Sequence, residues 1–155
     1  MTRTLVCGLV LVAILLLGSN DASAQPSPSC TISVTSVAFA NYNVFTTSDY
    51  DSAGTVTYRC NAQTANISIA LSDGSSSTFS PRTLRKGSEV LNYNLYRDAA
   101  RSTIWGDGTG GTSLYTNANP PNNNNVSVTI FARIPAQQDV SAGSYSDTVS
   151  AVINF

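Results

Sequence analysis

The chain contains no histidine, the side chain that most often serves as the base for a nucleophile. Lys86 is the single lysine and the remaining candidate base, and Ser88 or another serine could complete a Ser–Lys dyad with it. Pairs of carboxylates could instead hydrolyse glycosides. The candidates are Asp49, Asp51, Glu89, Asp98, Asp107 and Asp147. Most of them lie beside Gly or Ser, where capping a turn is the simpler role. The sequence therefore favours a protein that is not an enzyme.

The residue types that bind metals are equally sparse. The run Gly106-Asp-Gly108 is similar to calcium loops, but it lacks the alternating acidic ligands and the terminal Glu of an EF-hand. A zinc site would need a histidine or further sulfurs beside Cys30 and Cys60. We therefore expect no metal and no cofactor.

Charge excludes two further classes of partner. The chain has 8 basic and 9 acidic residues, and charged residues make up 11% of it, about half the usual share for soluble domains. No basic stripe is present that would attract nucleic acid or an anionic membrane. The sequence predicts no nucleic-acid partner.

The first 24 residues have the composition of a signal peptide. Arg3 provides the positive charge, residues 5–17 are apolar apart from Gly8, and Ala22-Ser-Ala24 provides the small residues of a cleavage site. An apolar helix of that length would reach about 20 Å, short of the roughly 30 Å hydrocarbon core. We expect cleavage before Gln25, one domain over 25–155, and no membrane span after processing.

Cys30 and Cys60 remain after that cleavage, and an exported chain favours a disulfide between them. Parity supports the pairing, because Cys30 shares a strand face with Ile32, and Cys60 shares one with Tyr58. Closing this loop would stabilise the fold by roughly 3–4 kcal/mol. Two free thiols or a metal-binding pair are the alternatives.

Turn-forming residues alternate with short strands along residues 25–155, which predicts an all-β sandwich or barrel with almost no helix. The strands are expected at 31–39, 54–60, 66–72, 90–97, 126–134 and 144–155. Apolar residues alternate with polar ones most clearly in three sets that we predict to form the core: Ile67, Ile69, Leu71; Leu91, Tyr93, Leu95; and Val126, Val128, Ile130, Ala132, Ile134. Weaker segments at 83–86 and 112–115 are candidates for additional strands.

The final segment, 143–155, alternates in the same way. Its apolar parity set is Tyr145, Val149, Ala151, Ile153 and Phe155. A long strand at the edge of a sheet has free backbone donors and acceptors, to which another strand can add.

Two aromatic residues are candidates for ligand contacts. Tyr93 shares parity with the apolar residues of its strand, whereas Tyr96 points the other way. Trp105 precedes the Gly-Asp-Gly turn and is expected to cover one end of the sandwich, with a ligand contact as the alternative. Exposed aromatic rings stack on sugars, so a secreted carbohydrate-binding module is the alternative function, with Tyr96 and Trp105 as its contacts.

Three runs carry a resemblance to a known family: Tyr93-Asn-Leu-Tyr-Arg-Asp-Ala-Ala-Arg101, Trp105-Gly-Asp-Gly108 and Gly143-Ser-Tyr-Ser-Asp-Thr-Val149. Together with the order of the cysteines, they resemble the spore coat protein U domain family over essentially all of 25–155. The resemblance implies an immunoglobulin-like sandwich that lacks its last strand. It also implies a structural subunit of a spore coat or of an archaic chaperone-usher pilus.

In such pili a periplasmic chaperone and then, through the usher, a neighbouring subunit supply the missing strand. The resemblance therefore implies these partners, and export through the periplasm to the cell surface, the spore coat or the extracellular space. The strand-acceptor edge that it implies consists of Gly143, Tyr145, Val149, Ala151, Ile153 and Phe155.

The start of the processed chain differs from that of a mid-fibre subunit. Residues 25–29 include two prolines and no large apolar side chain, so they cannot act as a donor strand. We expect a subunit that accepts a strand without donating one, at the end of a fibre or in a coat.

Overall fold

The computed structural model describes residues 27–61 and 66–155, which form an all-β structure. The predicted signal peptide, 1–24, lies outside this range. The strands are β1 (Ser29–Thr35), β2 (Tyr50–Asn61), β3 (Ile67–Leu71), β4 (Arg82–Lys86), β5 (Glu89–Tyr96), β6 (Tyr115–Asn117), β7 (Val126–Ile134) and β8 (Ala151–Asn154). The weak segment at 83–86 is therefore a strand, and the one expected at 112–115 lies slightly later, as β6.

Two antiparallel sheets enclose the core. The larger has the strand order β1-β2-β7-β5-β4, and the smaller has the order β6-β3-β8. Residues of β2, β3, β5 and β7 alternate between the core and the outer face, as the sequence pattern predicts. The expected all-β sandwich is confirmed.

The predicted disulfide is also confirmed. Cys30 of β1 and Cys60 of β2 are directly opposite each other in the antiparallel register, with their Cα atoms 4.0 Å apart. The bond attaches the edge strand β1 to its neighbour β2 in the larger sheet.

The first strand ends earlier than predicted, at Thr35 instead of residue 39. At Gly54 the chain that follows β1 passes so close to β2 that a Cβ atom would lie 2.7 Å from the carbonyl oxygen of Thr35 and 2.9 Å from Val37. Residues 36–44 then cover part of the core, with Phe39 and Tyr42 packed against it. The segment leaves the ladder because it crosses onto the inner face of the sheet.

The prediction of one continuous strand over 144–155 is wrong in extent. Only β8 is regular, and it pairs with β3 of the smaller sheet. Ser146 instead exchanges two backbone hydrogen bonds with Arg85 of β4, at 2.8 and 3.1 Å, in the larger sheet. Since one end of the segment joins one sheet and the other end joins the second sheet, its ladder cannot be continuous. The predicted inward parity of Tyr145 and Val149 holds nevertheless.

The buried side chain of Arg82 links the two sheets by hydrogen bonds. No sequence pattern indicated this role. Its side chain is fully buried and donates to the carbonyl oxygens of Ser72, at 2.8 and 2.9 Å, and of Trp105, at 2.7 Å. It also donates to Asn94 Oδ1 at 2.8 Å. One guanidinium thus connects β5, the end of β3 and the segment around Trp105.

Candidate functional site

A cleft of about 1090 Å³ lies between two irregular segments. We call residues 34–44, which begin with the last two residues of β1, the first wall. Residues 140–151, which end with the first residue of β8, are the second wall. Among the described residues no hydrogen bond joins one wall directly to the other.

The floor of the cleft is the apolar core. It is formed by inward-facing side chains of β3, β4, β5 and β7: Leu71, Leu84, Leu91, Tyr93, Leu95, Ile130 and Ile134. Leu91, Leu95 and Ile130 are only 3%, 5% and 3% exposed. The open volume therefore lies mainly between the walls, and the floor beneath it is largely covered by them.

The first wall is held by packing and by its backbone. Phe39 packs edge-on against Tyr93, with ring centroids 6.3 Å apart, and Ser52 donates its hydroxyl to the carbonyl oxygen of Ala38. The Tyr42 ring lies 5.0 Å from that of Tyr50. Sequence reasoning missed this wall, although Gly54 in the middle of β2 is the kind of residue that marks a close backbone approach.

The second wall is fastened to the β4–β5 hairpin by side chains. Glu89 accepts hydrogen bonds from the Tyr145 hydroxyl and from the hydroxyl and backbone N–H of Ser141. Lys86 donates to the hydroxyl of Ser141 and to the carbonyl oxygen of Ala142, the latter at 2.8 Å. The candidate base Lys86 thus meets Ser141 rather than Ser88, and it serves there as a structural donor.

Further along the same wall, Asp147 is held over the floor. Its Oδ2 atom accepts from the Tyr93 hydroxyl at 2.6 Å, and its Oδ1 atom accepts from the backbone of Ser75 at 2.9 Å. These donors lower the pKa of Asp147 although its burial opposes them, and burial together with the Asp147 contact raises the pKa of Tyr93. Gly74 has φ +67°, and a side chain there would overlap the Asp147 carboxylate.

The hydrogen bonds to Glu89 predict that the stability of the fold depends on pH. Hydrogen bonds from Tyr145 and then Ser141 lower the pKa of Glu89 to about 2, from an ordinary 4.5. A lowered pKa in the folded state contributes stability above pH 4.5, which is lost as the pH falls towards 2. Glu89→Gln should therefore be less stable than the wild type near neutral pH, and the difference should shrink across that window.

Urea unfolding between pH 2 and 6 measures this difference. Asp139→Asn is the control, because it removes the same charge from an exposed side chain just before the second wall. Parallel stability curves for Glu89→Gln and the wild type would contradict the assigned role of Glu89.

The structure brings most of the predicted acceptor-edge residues together. Gly143, Tyr145, Val149 and Ala151 line the cleft. Ile153 packs against the core from β8, whereas Phe155 is 53% exposed and does not line the cleft. The wall is thus assembled from the predicted segment, and its function as an acceptor remains a prediction.

The two predicted ligand contacts lie in different places. Trp105 is fully buried and donates its indole N–H to the carbonyl oxygen of Ile69 at 2.9 Å. This burial removes Trp105 from the side chains that a ligand could touch. Tyr96 is half-buried on the outer face of the larger sheet, opposite Phe131 of β7, and burial raises its pKa. A ligand contact at Tyr96 stays a prediction.

The acidic side chains make local and inter-strand contacts. Asp98 accepts from the backbones of Ser102 and Thr103, which lowers its pKa to about 2. Asp107 accepts from Thr109 within its turn. Asp49 and Asp51 both contact Arg133, at 3.3 and 2.8 Å. Within 27–61 and 66–155, no group of three or more His, Cys, Asp or Glu residues is placed to hold a metal ion. The same ranges contain no helix long and apolar enough to cross a membrane.

The sequence profile of the Spore Coat Protein U domain matches residues 16–152. The chain belongs to the Spore Coat Protein U domain family. This Spore Coat Protein U domain is also similar to Protein U of Myxococcus xanthus, with 38% identity over 68 residues. That alignment covers 43% of the chain and 35% of Protein U, so the match spans about a third of the relative.

A solved structure shows the same fold. It is a chain of the crystal structure of the CsuC–CsuE chaperone–tip adhesion subunit pre-assembly complex from the archaic chaperone-usher Csu pili of Acinetobacter baumannii. The TM-score is 0.59 at 20% identity, and the match covers 83% of this Spore Coat Protein U domain and 40% of that chain. The similarity to that chain shows the fold alone, and the family membership rests on the sequence profile.

Proposed function

We propose that this chain is an exported structural subunit of a bacterial surface assembly, either a spore coat or a chaperone-usher pilus-like fibre, and that its cleft accepts a β-strand from a partner. The observation that carries the proposal is the cleft itself, which leads to the apolar core between two walls that no hydrogen bond joins directly among the described residues. An added strand here would fill the space between the two walls.

The shape of the cleft favours an extended peptide over a compact ligand. Its volume of about 1090 Å³ lies at the upper limit of small-molecule sites. β8 is the last strand of its sheet, so the edge that does not pair with β3 has backbone groups available for a further strand. Alternate side chains of such a strand would point to the floor, which is the usual mode of β-strand addition.

The partners that this function requires are a periplasmic chaperone, an usher and neighbouring subunits. The path begins with removal of residues 1–24, and it ends at the cell surface, in a spore coat or in the extracellular space. The second wall, with Gly143, Tyr145, Val149 and Ala151, would lie beside the incoming strand.

A synthetic strand tests the proposal. The full chain is expressed with its leader and purified, and mass spectrometry should find Gln25 at the N-terminus. Urea unfolding is then followed with a peptide that alternates valine and threonine, and with a control peptide of equal composition whose valines are contiguous. The alternating peptide should raise the free energy of unfolding by about 2.7 kcal/mol at a hundredfold excess over its Kd.

The control peptide should raise the stability far less, because contiguous valines place half of their side chains away from the floor. A chain that gains nothing from either peptide would overturn the strand-acceptor function. If neither peptide changes the free energy of unfolding, and if the chain binds a glycan and loses that binding in Tyr96→Ala, a carbohydrate-binding module would be supported instead.

A further inference from the structure

The loop between β7 and the second wall is tied to the first wall beside one end of the cleft floor. The Tyr42 hydroxyl donates to the carbonyl oxygen of Pro135 at 3.0 Å and accepts from the backbone N–H of Gln138 at 2.7 Å. Tyr42 belongs to the first wall, whereas the loop at 135–139 continues into the second. A single hydroxyl therefore ties one wall to the chain that leads into the other.

The loop is fixed a second time, to β5. The Gln138 side-chain amide donates to the carbonyl oxygen of Asn92 at 2.9 Å, and its oxygen accepts from the Asn92 backbone N–H at 2.8 Å. This side chain thus satisfies the two backbone groups of β5 just beyond the end of β7 at Ile134. Val140, which follows, lines the cleft and packs against the core.

The side chains of the floor form four rows across the cleft, and the last row lies at the end beside the loop. Leu91, Tyr93 and Leu95 follow one another at every second residue of β5, which spaces them by about 6.8 Å. Leu95 pairs with Ala132 of β7, so Ile130 lies one row further. A strand laid over the four rows would insert four alternate side chains over about 20 Å. The row of Leu91 is the last, because the loop is anchored at the adjacent Asn92.

We propose that Tyr42 is a positioning residue, which sets the register of the incoming strand by holding the loop at 135–139 beside the end of the cleft floor. This inference rests on the proposed function. A strand with four inserted side chains would fill the rows from Ile130 to Leu91, and a fifth inserted side chain at that end would meet the loop.

A series of peptides measures this limit. The peptides alternate valine with threonine and have three, four or five valines, with a lysine tail on a glycine linker at either end for solubility. For the wild-type chain, Kd should fall about tenfold from three to four valines, the factor expected for burial of one valine side chain. It should not fall further with the fifth.

In Tyr42→Phe the tie is lost while the ring can still pack, and the roughly tenfold step in Kd between three and four valines should disappear, because the loop no longer shields the last row from water. Gln138→Ala, which removes both bonds to Asn92, should remove this step in the same way, and it serves as the second variant if Tyr42→Phe fails to fold. Tyr96→Phe is the matched control, because it removes a hydroxyl from the outer face and should leave the step unchanged.

Two failures are distinguishable. If none of the peptides binds, the proposed strand-acceptor function fails. If they bind with the same preferred length in the wild type, Tyr42→Phe and Gln138→Ala, the strand-acceptor function stands and the role of Tyr42 is overturned.

Discussion

Replacing Arg82 with methionine should lower the free energy of unfolding by about 2–6 kcal/mol, the cost of leaving two carbonyl oxygens inside the sandwich without a donor. Methionine fills a similar volume but donates no hydrogen bond. The carbonyl oxygens of Ser72 and Trp105 would be left without a donor, whereas Asn94 Oδ1 would keep the backbone N–H of Leu95. Each unsatisfied buried acceptor costs about 1–3 kcal/mol.

Arg85→Met is the matched control, because Arg85 lies three residues further along β4 and its side chain is exposed. Its substitution should change the stability by less than about 0.5 kcal/mol. Urea denaturation of both variants provides the comparison. An Arg82→Met chain as stable as Arg85→Met would show that the two carbonyl oxygens find other donors, and that the sheets do not depend on this guanidinium.

The importance of Arg82 could not be predicted from the sequence, because arginine is rarely buried and its strand has no clear apolar alternation. Its inward position depends on its pairing with Tyr93 across β4 and β5, which is a contact between strands. The core of β3, β5 and β7 was predictable for the opposite reason. There each strand alternates within itself, and no partner needs to be known.

The candidate site likewise contains one part that local sequence patterns indicate and another that depends on contacts between distant segments. The inward residues of the second wall follow from the parity of Tyr145, Val149 and Ala151, so the sequence indicates them. The division of this segment between β4 and β3 is set by two different sheets. The first wall depends on the crossing of the chain over Gly54. The position of the loop at 135–139 depends on the hydrogen bond between Tyr42 and Gln138, which are 96 residues apart in the sequence. Local patterns carry none of this information.

The disulfide has a role in the cleft as well as in stability. β1 is an edge strand of the larger sheet, and the first wall continues directly from it at Val34. On its other side, β1 has no strand partner among the described residues. The bond between Cys30 and Cys60 therefore anchors the strand from which the first wall begins.

Removing this bond in the double variant Cys30→Ala, Cys60→Ala should lower the free energy of unfolding by about 3.5 kcal/mol, the chain-entropy value for a loop that spans a separation of 30 residues. Reduction of the wild-type chain should produce a similar loss, measured by urea unfolding with and without dithiothreitol. The double variant should not respond to the reductant, which makes it the control for effects of dithiothreitol itself.

If β1 depends on the bond for its attachment, the loss should be accompanied by faster hydrogen exchange at the amides of β1, while the amides of β5 and β7 keep their relative protection. A loss of stability below about 1 kcal/mol would show that the ladder with β2 holds β1 and the first wall in place without the disulfide.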